Sequence, residues 1–435
     1  MLISFISVLI LCLSGLIGAA AIPATLSLLV LLAAAAGSRR RPALSRSAAP
    51  LLLAVIVPAH NEELVLAGTL TSLKAQKYPK ECFEIVVVAD NCTDGTLQIA
   101  YSHNVTTLER VSSSERGKGY ALNHAISYLL EQPLVADGFI VVDADTWVAP
   151  DFLACMSARI SCSHDIRGYG AWQGRYGVLN GQEGWRAALM TAAFDLVNHV
   201  KPLGRDALGL SAGLKGNGMA FTRALAAALP WPGGSLTEDL DYGLELARCF
   251  GLRVEYAPEA RVQAQMPVTA SQAASQRKRW EGGRLGLMRE RALPLLWEGL
   301  RCRSLLLIDA AWDLLIPPLA ELGALLLAFA GLTALGTVMH SLPHPGFWIS
   351  AGAFGVAGLI VYVLGGLRVA GAPPEAYAAL LRAPLYAVWK FVLLFTRRKR
   401  SKDASGDSAP IEWVRTERTS LSADLPDPIS ERVLP

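Results

Sequence analysis

The chain opens on an apolar run, residues 2–36, that contains no charged residue and is interrupted only by Ser, Thr, Gly and Pro23. That exceeds the roughly 20 residues a helix needs to cross a bilayer, so the pattern predicts a membrane span. A cleaved signal peptide is the competing reading. The missing basic start and the length of the run argue against it. From Leu51 the pattern changes to short β-branched runs alternating with helical periodicity. Residues 51–57, 84–89 and 139–142 read as buried strands. Helices follow Glu63 to Leu73, begin near Thr96, and run from Arg116-Gly117-Lys118-Gly119 to Leu130. This βαβα rhythm predicts a doubly wound parallel sheet, whose ligands bind beyond the carboxyl ends of the strands.

The second half of this region is less regular. Residues 171–176 look like a strand and 185–200 a helix, and Thr237 is placed to cap a helix ending at Phe250. Residues 271–288 have a helical pattern rich in polar and basic side chains. Beyond Arg303 the chain is apolar again. Residues 305–338 suit one span bent at Pro317-Pro318, and 347–367 a second. Residues 376–395 hold Arg382, Pro384 and Lys390, which suits an interfacial or re-entrant helix.

Composition supports this division. The 435 residues are 52% hydrophobic, too apolar for an ordinary soluble protein. The net charge of +3 is small and gives no reason to expect nucleic acid as a partner. Positive charge is clustered instead, at Arg39-Arg40-Arg41 with Arg46 and at Arg397-Arg398-Lys399-Arg400 with Lys402. Both clusters should face the cytoplasm, while 339–346, without Lys or Arg, should be external. The seven cysteines show no C-x-x-C spacing, so free thiols in a reducing compartment are expected.

The candidate chemistry gathers at strand ends. Phe139-Ile140-Val141-Val142 runs into Asp143-Ala144-Asp145, and residues two apart on a strand project to one side. Two hard oxygen ligands there suit Mg²⁺ or Mn²⁺ holding a diphosphate; two solvated acids capping a turn have the same spacing. Glu62 and Asp90 also lie at predicted carboxyl ends. Residues 209–218 are Gly-rich around Gly216-Asn217-Gly218, either a backbone approaching a ligand or plain turn chemistry. Glu238 and Asp239 fall in the first turn of their helix, where acidic residues also serve as caps. Gln276, Arg279 and Trp280 share one helical face.

Together these residues resemble the membrane-integrated, inverting family-2 glycosyltransferases that include cellulose, hyaluronan and poly-N-acetylglucosamine synthases. The motifs carrying the resemblance are Pro58-Ala59-His60-Asn61-Glu62, Asp90, Gly117-Lys118-Gly119, Asp143-Ala144-Asp145, Thr237-Glu238-Asp239 and Gln276-Arg277-Lys278-Arg279-Trp280. It implies an α/β GT-A domain with a doubly wound mixed sheet over 51–303. That domain would be flanked by an N-terminal span (1–37), a basic linker (38–50), transmembrane and interfacial helices (304–396) and a cytoplasmic tail (397–435). It further implies Glu62 and Asp90 on the nucleoside, Lys118 and Gln276 on the nucleotide, and Asp143 and Asp145 on a metal-bound diphosphate with Arg279. Asp239 would be the general base, with Trp280, Glu238 and Asn217 on the acceptor side. Tail residues 413–418 resemble a segment that closes over the nucleotide in some relatives.

The expected donor is a UDP-sugar, and the expected acceptor a growing β-linked polysaccharide at the cell membrane. Transfer of one sugar to a lipid-linked acceptor and a catalytically silent membrane scaffold are the alternatives. A nucleotidyltransferase would share the sheet and the metal but has no use for Gln276-Arg279-Trp280 beside a membrane segment. The larger synthases form a pore from more spans than the three or so found here, so secretion would call for a second copy or an export partner.

Overall fold

The computed structural model describes residues 2–38, 49–133, 136–162, 165–235, 237–266 and 270–383, with side chains described outside 2–4 and 270–281. Eight strands form one sheet: β1 (Leu53–Ala59), β2 (Phe83–Asp90), β3 (Thr106–Arg110), β4 (Gly138–Val141), β5 (Thr146–Val148), β6 (Ala171–Val178), β7 (Met219–Thr222) and β8 (Glu255–Ala264). Their order is β3-β2-β1-β4-β7-β6-β8-β5. The first four are parallel, as their crossover helices require. β7 then runs antiparallel to both β4 and β6, and β5 antiparallel to β8, which makes the sheet mixed. β3 and β8 carry no apolar run of their own, and β5 and β7 are only three and four residues long; each is fixed by its partner strand.

The helices are α1 (Leu2–Ser38), α2 (Leu66–Lys74), α3 (Thr96–Ser102), α4 (Lys118–Glu131), α5 (Phe152–Ser161), α6 (Trp185–Phe194), α7 (Lys201–Ala207), α8 (Arg223–Ala228), α9 (Glu238–Phe250), α10 (Ala270–Cys302), α11 (Leu305–Leu315), α12 (Leu319–Val338), α13 (Pro345–Ala370) and α14 (Pro374–Leu380). Alternation along β1 supplies two cores. Leu53, Val55 and Val57 pack with Leu66, Leu70 and Leu73 of α2 and Phe152, Leu153 and Met156 of α5. Ala54 and Ile56 face the other way, onto Ala121, Leu122 and Ala125 of α4.

Three described helices, α1, α12 and α13, are long and apolar enough to cross a membrane. The expectation of one bent span over 305–338 is corrected. Pro317 and Pro318 lack the N–H groups that would continue α11, and Ile316 closes it by donating to Trp312 O, 3.1 Å away. Only α12 remains long enough to span. The helix expected over 185–200 continues to Ala207 through a π-helical turn at Asp195–Val200. Leu196 and Val200 from that turn enter the core that α1, α12 and α13 share. At Gly204 a Cβ would lie 2.2 Å from the Leu31 carbonyl oxygen, so α7 rests directly on the α1 backbone. Trp312 Nε1 donates to Ser27 Oγ (2.9 Å), and Arg175 donates to Ala370 O (3.1 Å). The sheet domain is thereby seated on the long apolar helices. Of the helix expected over 376–395, the first residues form α14; 384–395 and the tail around Trp413 lie outside the described residues.

Candidate active site

Asp90 closes β2, and Glu62, Asp143 and Asp145 lie just beyond the carboxyl ends of the adjacent parallel strands β1 and β4. The chain leaves β1 and β2 through Asn61 and Asn91, both in the left-handed region (φ 54° and 51°), where Asn is tolerated better than most residues. Asn61 Oδ1 accepts from the Thr93 N–H (2.7 Å), and Thr96 Oγ1 accepts from the Glu62 N–H (2.7 Å). The two loops are therefore tied together, with Glu62 buried between them. Asp90 is buried against Arg110 of β3, whose guanidinium donates to its Oδ1 at 2.7 Å and reaches Glu115 O and Oε2. Arg110 was not among the expected site residues. No apolar pattern marks β3, and only its pairing with β2 brings Arg110 to Asp90.

Asp143 and Asp145 do not continue a strand. The β4–β7 ladder stops at Val141, and the two carboxylates lie in the turn before β5, so strand alternation does not orient them. Two side chains hold this turn, Thr69, which the sequence reading did not place, and Asn217. Thr69 Oγ1 of α2 donates to Ala144 O (2.7 Å) and accepts from the Thr146 N–H (3.0 Å). From the other side Asn217 Oδ1 accepts from the Asp143 N–H (3.1 Å), and its Nδ2 donates to Thr146 Oγ1 (2.8 Å). Asn217, expected on the acceptor side, is 0% exposed and spends both ends of its amide on bracing the turn.

Lys118, the first residue of α4, connects the carboxylates. Its ammonium pairs with Asp143 Oδ1 and donates to Gly216 O. Gly216 (φ 79°) lies where a Cβ would stand 3.4 Å from Asp239 Oδ2 and 3.6 Å from Lys118 Nζ. Asp143, Lys118 and Asp239 thus meet around Gly216. Burial would lower the Lys118 pKa, but Asp143 and then Glu238 more than offset it and hold the amine charged. Glu238 and Asp239 open α9. Burial raises both pKa values, and Asp239 adds to the rise at Glu238. At Asp239 the Leu240 N–H and the Lys118 and Lys215 ammonium groups act in the opposite direction. A carboxylate with a raised pKa is a better proton acceptor than a solvated one. α9 packs on α10 and on α11, which leads into the apolar helix α12.

Among the described residues no group of three or more His, Cys, Asp and Glu side chains is placed to hold a metal. Asp143 and Asp145 supply two oxygen donors, which fits a divalent ion that takes its remaining ligands from a diphosphate and water. Gln276, Arg279 and Trp280 lie in the first turns of α10, but their side chains fall outside the described residues. Gly283, further along α10, passes so close to Thr237 that a Cβ would stand 2.5 Å from its methyl carbon. That contact lays α10 across the start of α9.

The family model described as "Glycosyltransferase like family 2" matches residues 49–283. The chain is 27% identical over 237 residues to the probable glycosyltransferase YdaM of Bacillus subtilis, covering 53% of this chain and 54% of that protein. It is 30% identical over 240 residues to a beta-monoglucosyldiacylglycerol synthase of Nostoc, covering 53% and 48%. The chain therefore spans about half the length of these curated relatives. Among solved structures it is similar to the mannosyltransferase PcManGT of Pyrobaculum calidifontis in complex with GDP-Man and Mn²⁺, at 20% identity and a TM-score of 0.48. That match covers 80% of this chain and 98% of the other.

Proposed function

The chain belongs to the family-2 glycosyltransferases, whose model covers more than half of it, and its sheet domain has their GT-A fold; from that premise we propose that it moves a sugar from a UDP-sugar to an acceptor hydroxyl presented at the membrane, with inversion. The observation that carries this reading is the meeting of Asp143, Lys118 and Asp239 around Gly216, beside the helices leading into the membrane.

Asp239 takes the proton from the acceptor hydroxyl as its oxygen attacks the anomeric carbon, and the bond to the diphosphate breaks with its electrons leaving on UDP. Lys118 balances the charge that Asp143, Glu238 and the diphosphate bring together. Glu62 and Asp90 face the nucleoside, with Arg110 holding Asp90 in place. Mg²⁺ or Mn²⁺, held by Asp143 and Asp145, would neutralise charge on the leaving diphosphate. Gln276 and Arg279 serve the nucleotide, and Trp280 stacks on the acceptor. The catalytic domain, 51–303, faces the cytoplasm, where UDP-sugars are made.

Extension of a β-linked polysaccharide is the second reading, favoured by Gln276-Arg279-Trp280 on a helix leading toward the membrane. One experiment separates the two. The full chain in nanodiscs is supplied with a panel of radiolabelled UDP-sugars and GDP-sugars, and the product is sized. A ladder of one sugar supports extension, and a single product of fixed mass supports single transfer. Consumption of a GDP-sugar but of no UDP-sugar refutes the assigned donor.

A further inference from the structure

Helix α9 carries Asp239 in its first turn, yet no cap of its own holds that turn. The Thr237 side chain, placed by its sequence position to cap the helix, makes no capping hydrogen bond. What meets Thr237 instead is Gly283 of α10, where a Cβ would stand 2.5 Å from the Thr237 methyl carbon. At that point α10 is intrinsically weak. Gly282 and Gly283 are consecutive in its interior, and glycine there destabilises a helix, so the contact needs support from outside α10.

The next residue supplies it. Arg284 reaches the carboxyl end of α11, where one guanidinium nitrogen donates to the carbonyl oxygens of Asp313 and Ile316, at 2.8 Å each. Pro317 pushes Ile316 out of helical geometry (ψ 119°) and ends α11, and a helix end leaves carbonyl oxygens without N–H partners. A cation there also matches the negative end of the helix dipole. The same turn of α11 is tied to α7, since the Asp313 carboxylate pairs with Lys201 (2.6 Å) and Arg205 (3.0 Å). Arg284 therefore fastens α10 to the α7–α11 junction one residue from its contact with Thr237. Arg291 pairs with Asp241 (3.6 Å) and Glu245 (3.2 Å) two turns further along α10, which leaves Thr237 to Gly283.

We propose that Arg284 is a positioning residue for sugar transfer: by fastening α10 to the end of α11 it holds Gly283 against Thr237, and so fixes where Asp239 meets the acceptor hydroxyl. This rests on the transferase reading with Asp239 as its base, and adds to it a residue that acts only through Thr237 and α9. Loss of the anchor lets α10 lift and water reach the start of α9. The burial that raises the Asp239 pKa then weakens, while the Lys118 and Lys215 ammonium groups that oppose the rise stay in place. The acid limb of the kcat profile therefore moves to lower pH.

The test uses the full chain in nanodiscs with the UDP-sugar it consumes. UDP release is counted per UDP-binding site from calorimetry, so that lost folded protein does not register as lost rate. Arg284→Ala should lower kcat per site at least about tenfold and move the acid limb of its pH profile to lower pH. Arg284→Lys should restore both, because one ammonium replaces the one nitrogen that serves the two carbonyl oxygens. Gly283→Ala keeps the Arg284 anchor and should give the same two changes by displacing Thr237. A normal kcat per site in Arg284→Ala, with only fewer sites or a lower Tm, overturns the proposal, because Arg284 then caps α11 and does nothing more. So does a fall in kcat with the acid limb unmoved, since Asp239 was then not disturbed. Where Arg284→Ala does not fold, Gly283→Ala decides alone, and wild-type turnover with a wild-type pH profile in that variant refutes the inference. A wild-type chain that releases UDP from no UDP-sugar refutes the transferase reading and takes this one with it.

Discussion

Replacing Asp239 with Asn separates a catalytic base from a helix cap, because the two roles predict opposite results. The amide has the same shape, so Gly216, 3.4 Å from Oδ2 at its Cβ position, is not displaced. The Leu240 N–H keeps an acceptor in the Asn oxygen. What is lost is the ability to take a proton. General bases contribute about 10²–10⁴ in rate, or about 2.7–5.4 kcal/mol of barrier. Turnover at saturating donor and acceptor should therefore fall at least about a hundredfold, while the affinity for UDP holds.

Stability should move the other way. Folding raises the Asp239 pKa by burial, so its contribution is fully present below the pKa of the unfolded chain and lost as pH rises through the folded value. The Asn variant carries no such penalty. Its Tm should exceed that of the wild type at pH 8, and the difference should vanish near pH 4. Turnover, UDP calorimetry and thermal scans at the two pH values make up the assay. A variant with turnover within tenfold of wild type and a lower Tm at pH 8 would show that Asp239 caps α9 and does no chemistry.

Lys118→Ala leaves Asp143, Glu238 and Asp239 without their shared cation, and UDP affinity should fall about tenfold or more in titration calorimetry. Asn217→Ala strands the Asp143 N–H and the Thr146 hydroxyl; chemical denaturation should register about 1–3 kcal/mol, with slower turnover from a loosened turn. Arg110→Ala should cost about 3–5 kcal/mol in the same assay by leaving Asp90 buried and unpaired. Arg110→Lys should not rescue it, because one ammonium does not span Asp90, Glu115 O and Glu115 Oε2. A reporter fused between Met339 and Gly346 should map to the outer face of the membrane, and one fused after Lys402 to the cytoplasm; the reverse pattern would refute cytoplasmic access to the donor.

The parallel half of the sheet was legible because each of β1, β2 and β4 is buried on both faces and reads as a continuous apolar run. The antiparallel half was not. β7 is the four residues Met219–Thr222 after a Gly-rich loop, and β8 alternates Glu255, Pro258, Glu259 and Arg261 with its buried positions. Neither resembles a strand until β4 and β6 are in place. The span boundary at Pro317-Pro318 was visible as a bend, yet sequence gave no way to tell a kink from a break. The ion pairs of Asp309 and Asp313 with Lys201 and Arg205 decide it, since they tie α11 to α7 and keep it at the junction with the sheet domain.

The carboxylates of the site were legible for a different reason from the groups that position them. Glu62, Asp90, Asp143, Asp145 and Asp239 stand at element ends, where local pattern alone marks a break from apolar to acidic. Thr69, Arg110 and Asn217 act across 77, 20 and 74 residues of sequence, and each is an ordinary residue in its own segment. The same holds for the ion pairs of Lys201 and Arg205 with Asp309 and Asp313, which cross about a hundred residues. Buried pairs of this kind contribute little net stability, but a mismatched register would leave charges uncompensated at a cost of several kcal/mol. They therefore do more to fix how α7 meets α11 than to hold the two together. The loop that carries Gly216 follows α7, so the register chosen at that junction also sets how far Gly216 and the neighbouring Asp239 stand from the apolar helix α1, on which α7 rests.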